Sequence, residues 1–222
     1  MADSKTKKIK IKPSDVLFLA VIAYFCTIID SVIYEAIVWT PIIDEMPLGN
    51  FWWTVIYRAL SCIAWGVSIY VIWRVSKNNG FDMLEAPFDV SKTLWISAVM
   101  TAALMATFII IDKGFGTIAS AVLTGGATYL LFLLVSTAMR SVVIALGQKW
   151  GELCFSKLPK YMPWGGIVFG VCAFAAHLIT SGSLIGALTV MGINIYFGLV
   201  YVFNNRKLVY TIPMMFLMLL SM

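Results

Sequence analysis

Residues 149–177 read KWGELCFSKLPKYMPWGGIVFGVCAFAAH. The first half is polar and basic, and Pro159 and Pro163 interrupt any helix there. From Trp164 the stretch is apolar as far as His177, the single histidine of the chain. A basic loop that turns into an apolar run of this length marks the start of a transmembrane helix, which needs roughly 20 apolar residues. The same alternation recurs along the chain. Spans are expected near 14–39, 51–75, 94–111, 117–144, 164–180, 184–203 and 208–222. The expected fold is therefore all-α, a polytopic transmembrane helical bundle of about seven spans. The last run is short for a span and contains Pro213.

Composition supports this. Of 222 residues, 61% are hydrophobic and 12% charged, against about a quarter charged in soluble domains. Mean hydropathy is +0.91. A water-soluble fold of this size could not hide so much apolar surface, so the excess faces lipid. Seven spans use nearly the whole length. The organisation expected is a basic cytoplasmic tail at 1–13 and a single transmembrane domain at 14–222. The apolar runs are continuous rather than alternating, which argues against a membrane β-barrel.

The net charge of +5 follows the positive-inside rule. With the N-terminus in the cytoplasm, the loops at 76–93, 145–163 and 204–207 are all cytoplasmic, and Lys113 is the loop cation left outside. Trp39, Trp52 and Trp53 then fall at the outer interface, and Trp73, Trp95, Trp150 and Trp164 at the inner one. The tail MADSKTKKIKIKP has no AxA-like cleavage site following it before Asp30, so it reads as retained. The expected location is the cytoplasmic membrane. The expected partners are the lipid bilayer and another membrane protein or peptide, with no nucleic acid. Ser14 or Asp15 can cap the first helix after Pro13.

Charges inside spans are costly and mark pairing or polar cavities. Asp30 and Glu35 lie in the outer half of the first span and Arg58 in the outer part of the second. They form a candidate intramembrane cluster: either Arg58 pairs with one of the acids, or each snorkels to the interface. The region 117–150 is interrupted by Gly125-Gly126 and Arg140, and is either one long span or a span with a re-entrant piece. Gly166–Gly170 and Gly182–Gly186 are small-xxx-small pairs that allow close helix approach, with Gly192 and Gly198 extending the surface.

Several chemistries lack their parts. One histidine cannot make a two-histidine zinc site. There is no GxSxG elbow and no GxxxxGK[ST] phosphate loop. Cys26, Cys62, Cys154 and Cys172 form no CxxC pair and read as reduced thiols. No metal or other cofactor is expected. Glu152 and His177 remain as candidate catalytic residues. Without further context, Glu152 reads as an interfacial acid beside a lysine, and His177 as a packed or interfacial side chain.

The C-terminal part, about 90–222, resembles the CAAX-protease and bacteriocin-processing (CPBP, or abortive-infection) family of intramembrane proteases. Its EExxxR motif aligns with Gly151-Glu152-Leu153-Cys154-Phe155-Ser156, and its FxxxH motif with Ala173-Phe174-Ala175-Ala176-His177. The run GINIYFGLVYVFNNRKLVYTIPMMFLML is similar to the family's glycine helix, turn and last helix. The resemblance implies a site in which glutamates and histidines activate water. Here Gly151 stands for the first glutamate, Ser156 for the arginine and Ala173 for the phenylalanine. Around Leu217 and Ser221 the final histidine and asparagine are missing. The resemblance thus implies a degenerate, non-proteolytic relative with a membrane partner-binding, regulatory or immunity role, in which Glu152 and His177 are a remnant lining one central cavity. An active endopeptidase using these two residues is one alternative. A small transporter or its substrate-binding subunit is another.

Overall fold

The computed structural model describes residues 11–38, 50–84, 95, 98–103, 105–106, 115–159 and 161–220. Among the described residues it is helical, without strands, and consists of seven helices: α1 Pro13–Thr27, α2 Ile29–Val38, α3 Asn50–Asn78, α4 Phe115–Cys154, α5 Trp164–Ser181, α6 Leu184–Phe203 and α7 Leu208–Leu220. Five segments are long and apolar enough to cross a membrane: Pro13–Ile37, Trp52–Asn78, Gly126–Cys154, Trp164–Ser181 and Leu184–Phe203. The helix Leu208–Leu220 is apolar but shorter, and Pro213 interrupts its hydrogen-bond ladder. The expected third span at 94–111, Trp39 and most of the N-terminal tail lie largely or wholly outside the described residues; 98–103 are helical.

Large apolar side chains face outward, while several polar ones are buried beside an apolar core. Phe18, Ile63, Ile179 and Ile185 are exposed, while Ser61, Thr137, Ser141, Gln148 and Asn194 are buried. An exterior as apolar as the core, with polar side chains kept among the buried residues, is what lipid selects. Together with the five apolar helices, it makes the chain an integral membrane protein.

The first span is not one straight helix. It breaks at Ile28 (φ −97°, ψ 3°), within the β-branched run Thr27-Ile28-Ile29 that crowds a helical turn. The Trp65 indole of α3 donates to the Cys26 carbonyl at 2.9 Å, next to this break. Asp30 then lies in the first turn of α2, at the positive end of the helix dipole. At the other end, neither Ser14 nor Asp15 caps α1. Lys12 holds the cap position without a side-chain bond, and Pro13 takes the first helical position, where its missing N–H costs nothing.

The centre of the bundle is α4, which packs against α1, α3, α5, α6 and α7. Of its spanning window, 56% is buried, against 17% for Trp52–Asn78. Gly126 (φ 54°, ψ −152°) breaks it in a backbone conformation that favours glycine, so the membrane segment is Gly126–Cys154. The helix runs on to Cys154, where a loop was expected from residue 145. The reason is Gln148, which is buried and folds its amide over the following turn (below).

Helices α5 and α6 form an antiparallel hairpin. Gly182 ends α5 in the left-handed conformation (φ 65°), and Ser183 caps α6 by accepting from the Gly186 N–H at 3.1 Å. The small residues divide their tasks. A β-carbon on Gly166 would sit 2.8 Å from the Gly198 Cα, so these backbones touch. Gly170 lies against Met191, and Gly186 against His177. Gly182 serves the turn, and Gly192 has no heavy atom within 4 Å of where a β-carbon would go.

Candidate functional site

Glu152 lies in the last turn of α4 and is held from two sides. Gln148 Nε2 donates to its Oε1 at 2.8 Å and also to the Met162 carbonyl at 2.9 Å, while the Gly165 N–H donates to Gln148 Oε1 at 3.2 Å. One buried amide thus closes the turn between α4 and α5. From the far side Arg206 Nε reaches Glu152 Oε1 at 2.6 Å. Helix α6 ends in a Schellman arrangement, with Arg206 N–H on the Tyr201 carbonyl at 2.9 Å and Asn205 N–H on that of Val202 at 3.1 Å. Asn205 (φ 53°) and Arg206 (φ 62°) are both left-handed, and the chain reverses there before α7. Glu152 and Arg206 share a cavity of about 420 Å³ with Trp164 and Phe155, whose rings stack at 4.6 Å. Glu152 Oε1 thus accepts from a guanidinium and an amide at once.

His177 is elsewhere. It lies in the last two turns of α5, 13 residues beyond Trp164, or ~20 Å along the helix. It opens on a different cavity, of about 350 Å³, to which Glu152 does not contribute. The expected single cavity lined by Glu152 and His177 is therefore not formed. Helix α5 separates the two residues, because α4 and α5 meet at the Trp164 end, where Gly151 lies against Trp164.

The second cavity gathers ionisable and polar groups from five helices. Asp30 comes from α2, Arg140 from α4, His177 from α5 and Asn194 from α6, with Tyr24 of α1 beside them. Its remaining wall is partly apolar, including Phe169, Ala173 and Val190. Arg140 and Asn194 are near the middles of their spans, so the cavity reaches mid-bundle. Thr180, exposed at the end of α5, marks its other limit. Asp30 accepts from the Tyr57 hydroxyl at 3.5 Å and attracts Arg140 electrostatically. Among the described residues no ion-pair contact joins Asp30 to Arg140.

Arg58 does not go to Asp30. Its Nη1 donates to Thr128 Oγ1 of α4 at 3.4 Å, and its guanidinium lies 5.2 Å from the Tyr129 ring centre. Glu35 is exposed on α2. Of the expected cluster, Asp30 thus lines the inner cavity and Arg58 bonds α4. In the sequence Arg140 reads as an interruption of a long span. The signal that points to it is the general one: an ionisable residue well inside a span faces a cavity or a partner. Among the described residues no three of His, Cys, Asp and Glu converge on a metal-sized site. No family model matches the chain, and neither a curated protein nor a solved structure does.

Proposed function

We propose that this chain is a non-proteolytic protein of the cytoplasmic membrane, a degenerate relative of the CPBP proteases, that binds within the bilayer through the cavity of Asp30, Arg140 and His177. Its role is that of a binding or regulatory protein rather than an enzyme. The observation that carries the reading is the separation of the two residues a remnant catalytic site would need. Glu152 is bonded to Arg206 and Gln148 at one end, and His177 faces a different cavity.

The orientation, N-terminus in the cytoplasm, rests on charge. Helices α3 and α4 run parallel, since Arg58 reaches Thr128 near their starts and Lys149 lies over the Phe81 ring near their ends. Lys12, Arg74, Lys77, Lys149, Lys157, Arg206 and Lys207 accordingly share one end of the bundle. By the positive-inside rule this end is cytoplasmic.

The test is cleavage of a prenylated or transmembrane peptide by the detergent-purified protein. The expected result is no cleavage, with Glu152→Gln and His177→Ala folding as the parent does. Cleavage that either substitution abolishes overturns the reading. A second reading, a small solute carrier, is favoured by the opposite charges of Asp30 and Arg140 on one mid-bundle cavity. Uptake into vesicles that fails in Asp30→Asn and persists in Glu152→Gln would select it.

A further inference from the structure

We propose that the cavity between α2, α4, α5 and α6 binds a small zwitterion of amino-acid size, its carboxylate toward Arg140 and its ammonium toward Asp30. The proposal rests on the binding role assigned to this cavity above and names the ligand class.

Arg140 is a charge well inside a span. A guanidinium carries five N–H donors and does not lose its proton in proteins. Among the described residues, Arg140 makes no hydrogen bond from its side chain and no ion-pair contact, and Asp30 is the opposite charge that attracts it. Direct contact, as between Glu152 and Arg206, would satisfy both groups. Here the two charges face the same 350 Å³ of space instead.

Charge balance then selects the occupant. Asp30 and Arg140 give the cavity one negative and one positive group, beside the His177 imidazole. A simple anion would satisfy Arg140 while adding a second negative charge near Asp30. A simple cation would do the converse to Arg140. A neutral molecule with separated charges satisfies both at once, and in a low-dielectric interior that difference is large. The uncharged wall suits the rest of such a molecule: the Asn194 amide and Tyr24 hydroxyl supply hydrogen bonds, while Phe169, Ala173 and Val190 offer contact for a short apolar side chain.

The experiment uses the full chain in lipid nanodiscs, with tritiated L-alanine, L-valine and L-leucine as probes. Competitors are leucinamide, which lacks the carboxylate, N-acetyl-leucine, which lacks the ammonium, and inorganic phosphate. Saturable binding of at least one free amino acid is expected, with both leucine derivatives roughly tenfold or more weaker, the loss that follows from leaving one charged group unsatisfied. Arg140→Gln should weaken the free amino acid but not the amide, and Asp30→Asn should do the same relative to the N-acetyl derivative. Should either variant fail to fold, Ala173→Phe keeps both charges, fills the cavity and should abolish binding. Equal binding of a free amino acid and either derivative overturns the zwitterion. Arg140-dependent binding of phosphate alone also overturns it, yet leaves the cavity a binding site. If no probe binds and none protects Ser136→Cys from a water-soluble maleimide, the zwitterion and the binding role fall together.

Discussion

At the basic end of the bundle, opposite charges meet in contact, Glu152 with Arg206 at 2.6 Å and Asp82 with Lys77 at 2.8 Å. In its middle, Asp30 and Arg140 face one cavity without an ion-pair contact. The α5–α6 hairpin spans both regions and shows how they differ. Near the basic end Gly166 and Gly198 let the helix backbones touch. Toward the other end the α6 surface meets a histidine, and the space between α5 and α2 stays open. Closed pairs hold helices together, whereas a separated pair leaves room for an occupant and keeps both charges available to it.

The largest effect is expected at the glycine contact. Gly166→Leu would drive a side chain into the Asn194 carbonyl and the Gly198 backbone, 2.5 and 2.8 Å from its first carbon. Backbone cannot yield as a side-chain tip can, so a cost above about 3 kcal/mol is expected. The readout is loss of a monodisperse peak in detergent gel filtration. Gly192→Leu, where nothing lies within 4 Å, should leave the peak intact. Next in size is the closed pair. Glu152→Ala removes the carboxylate oxygen to which Arg206 and Gln148 both donate, and the pair is about one-third exposed, with side-chain exposures of 35% and 28%. A loss of about 1–2 kcal/mol is expected in denaturant unfolding, with Glu152→Ala and Arg206→Ala non-additive in a double-mutant cycle.

The membrane class was legible because hydropathy depends on composition within a window, and lipid reads the same quantity. Gly125-Gly126 likewise announced a break, since few other residues adopt the conformation seen at Gly126. The end of α4 was not legible. Gln148, Lys149 and Glu152 look like loop residues, yet Gln148 is turned inward to bond Glu152, Met162 and Gly165, and no periodicity marks an amide as internal. The Glu152–Arg206 pair spans 54 positions and depends on a left-handed turn at 205–206, which the sequence shows only as Asn204-Asn205. Arg140 reads in the sequence only as an interruption of a span, because a lone charge does not say which helix it faces. That is decided by packing around α4.

At the cavity, Gly186→Ala sharpens the contrast with Gly166. The added methyl would meet His177 Nε2 at 2.7 Å, the far end of a side chain that can turn into the neighbouring space. Crowding and the better helix propensity of alanine, worth about 1 kcal/mol, should nearly cancel. Stability is expected to change by less than about 1 kcal/mol, while the His177 ring resonances shift in NMR. A cost as large as that of Gly166→Leu would mean that this part of the hairpin is packed as tightly as the other.

The smallest effect belongs to Asp82, just beyond the end of α3. Lys77 Nζ contacts its Oδ2 at 2.8 Å, the Trp73 indole donates to Oδ1 at 2.9 Å, and the Leu84 N–H donates to Oδ1 at 3.0 Å. These bonds, led by that from Lys77, hold the carboxyl at a pKa of about 2, below its usual value near 3.9. The fold therefore favours the charged form, so the stabilisation is complete above about pH 4 and disappears as pH falls toward 2. Because Lys77 is half-exposed, with 53% of its side-chain surface open, salt should weaken the pair, and global stability should barely move. The local signal is the fluorescence of Trp73, which should change between pH 4 and 2 in the parent and lose that transition in Asp82→Asn. A transition that survives the substitution would assign it to another acid and separate Asp82 from the contact pairs of the basic end.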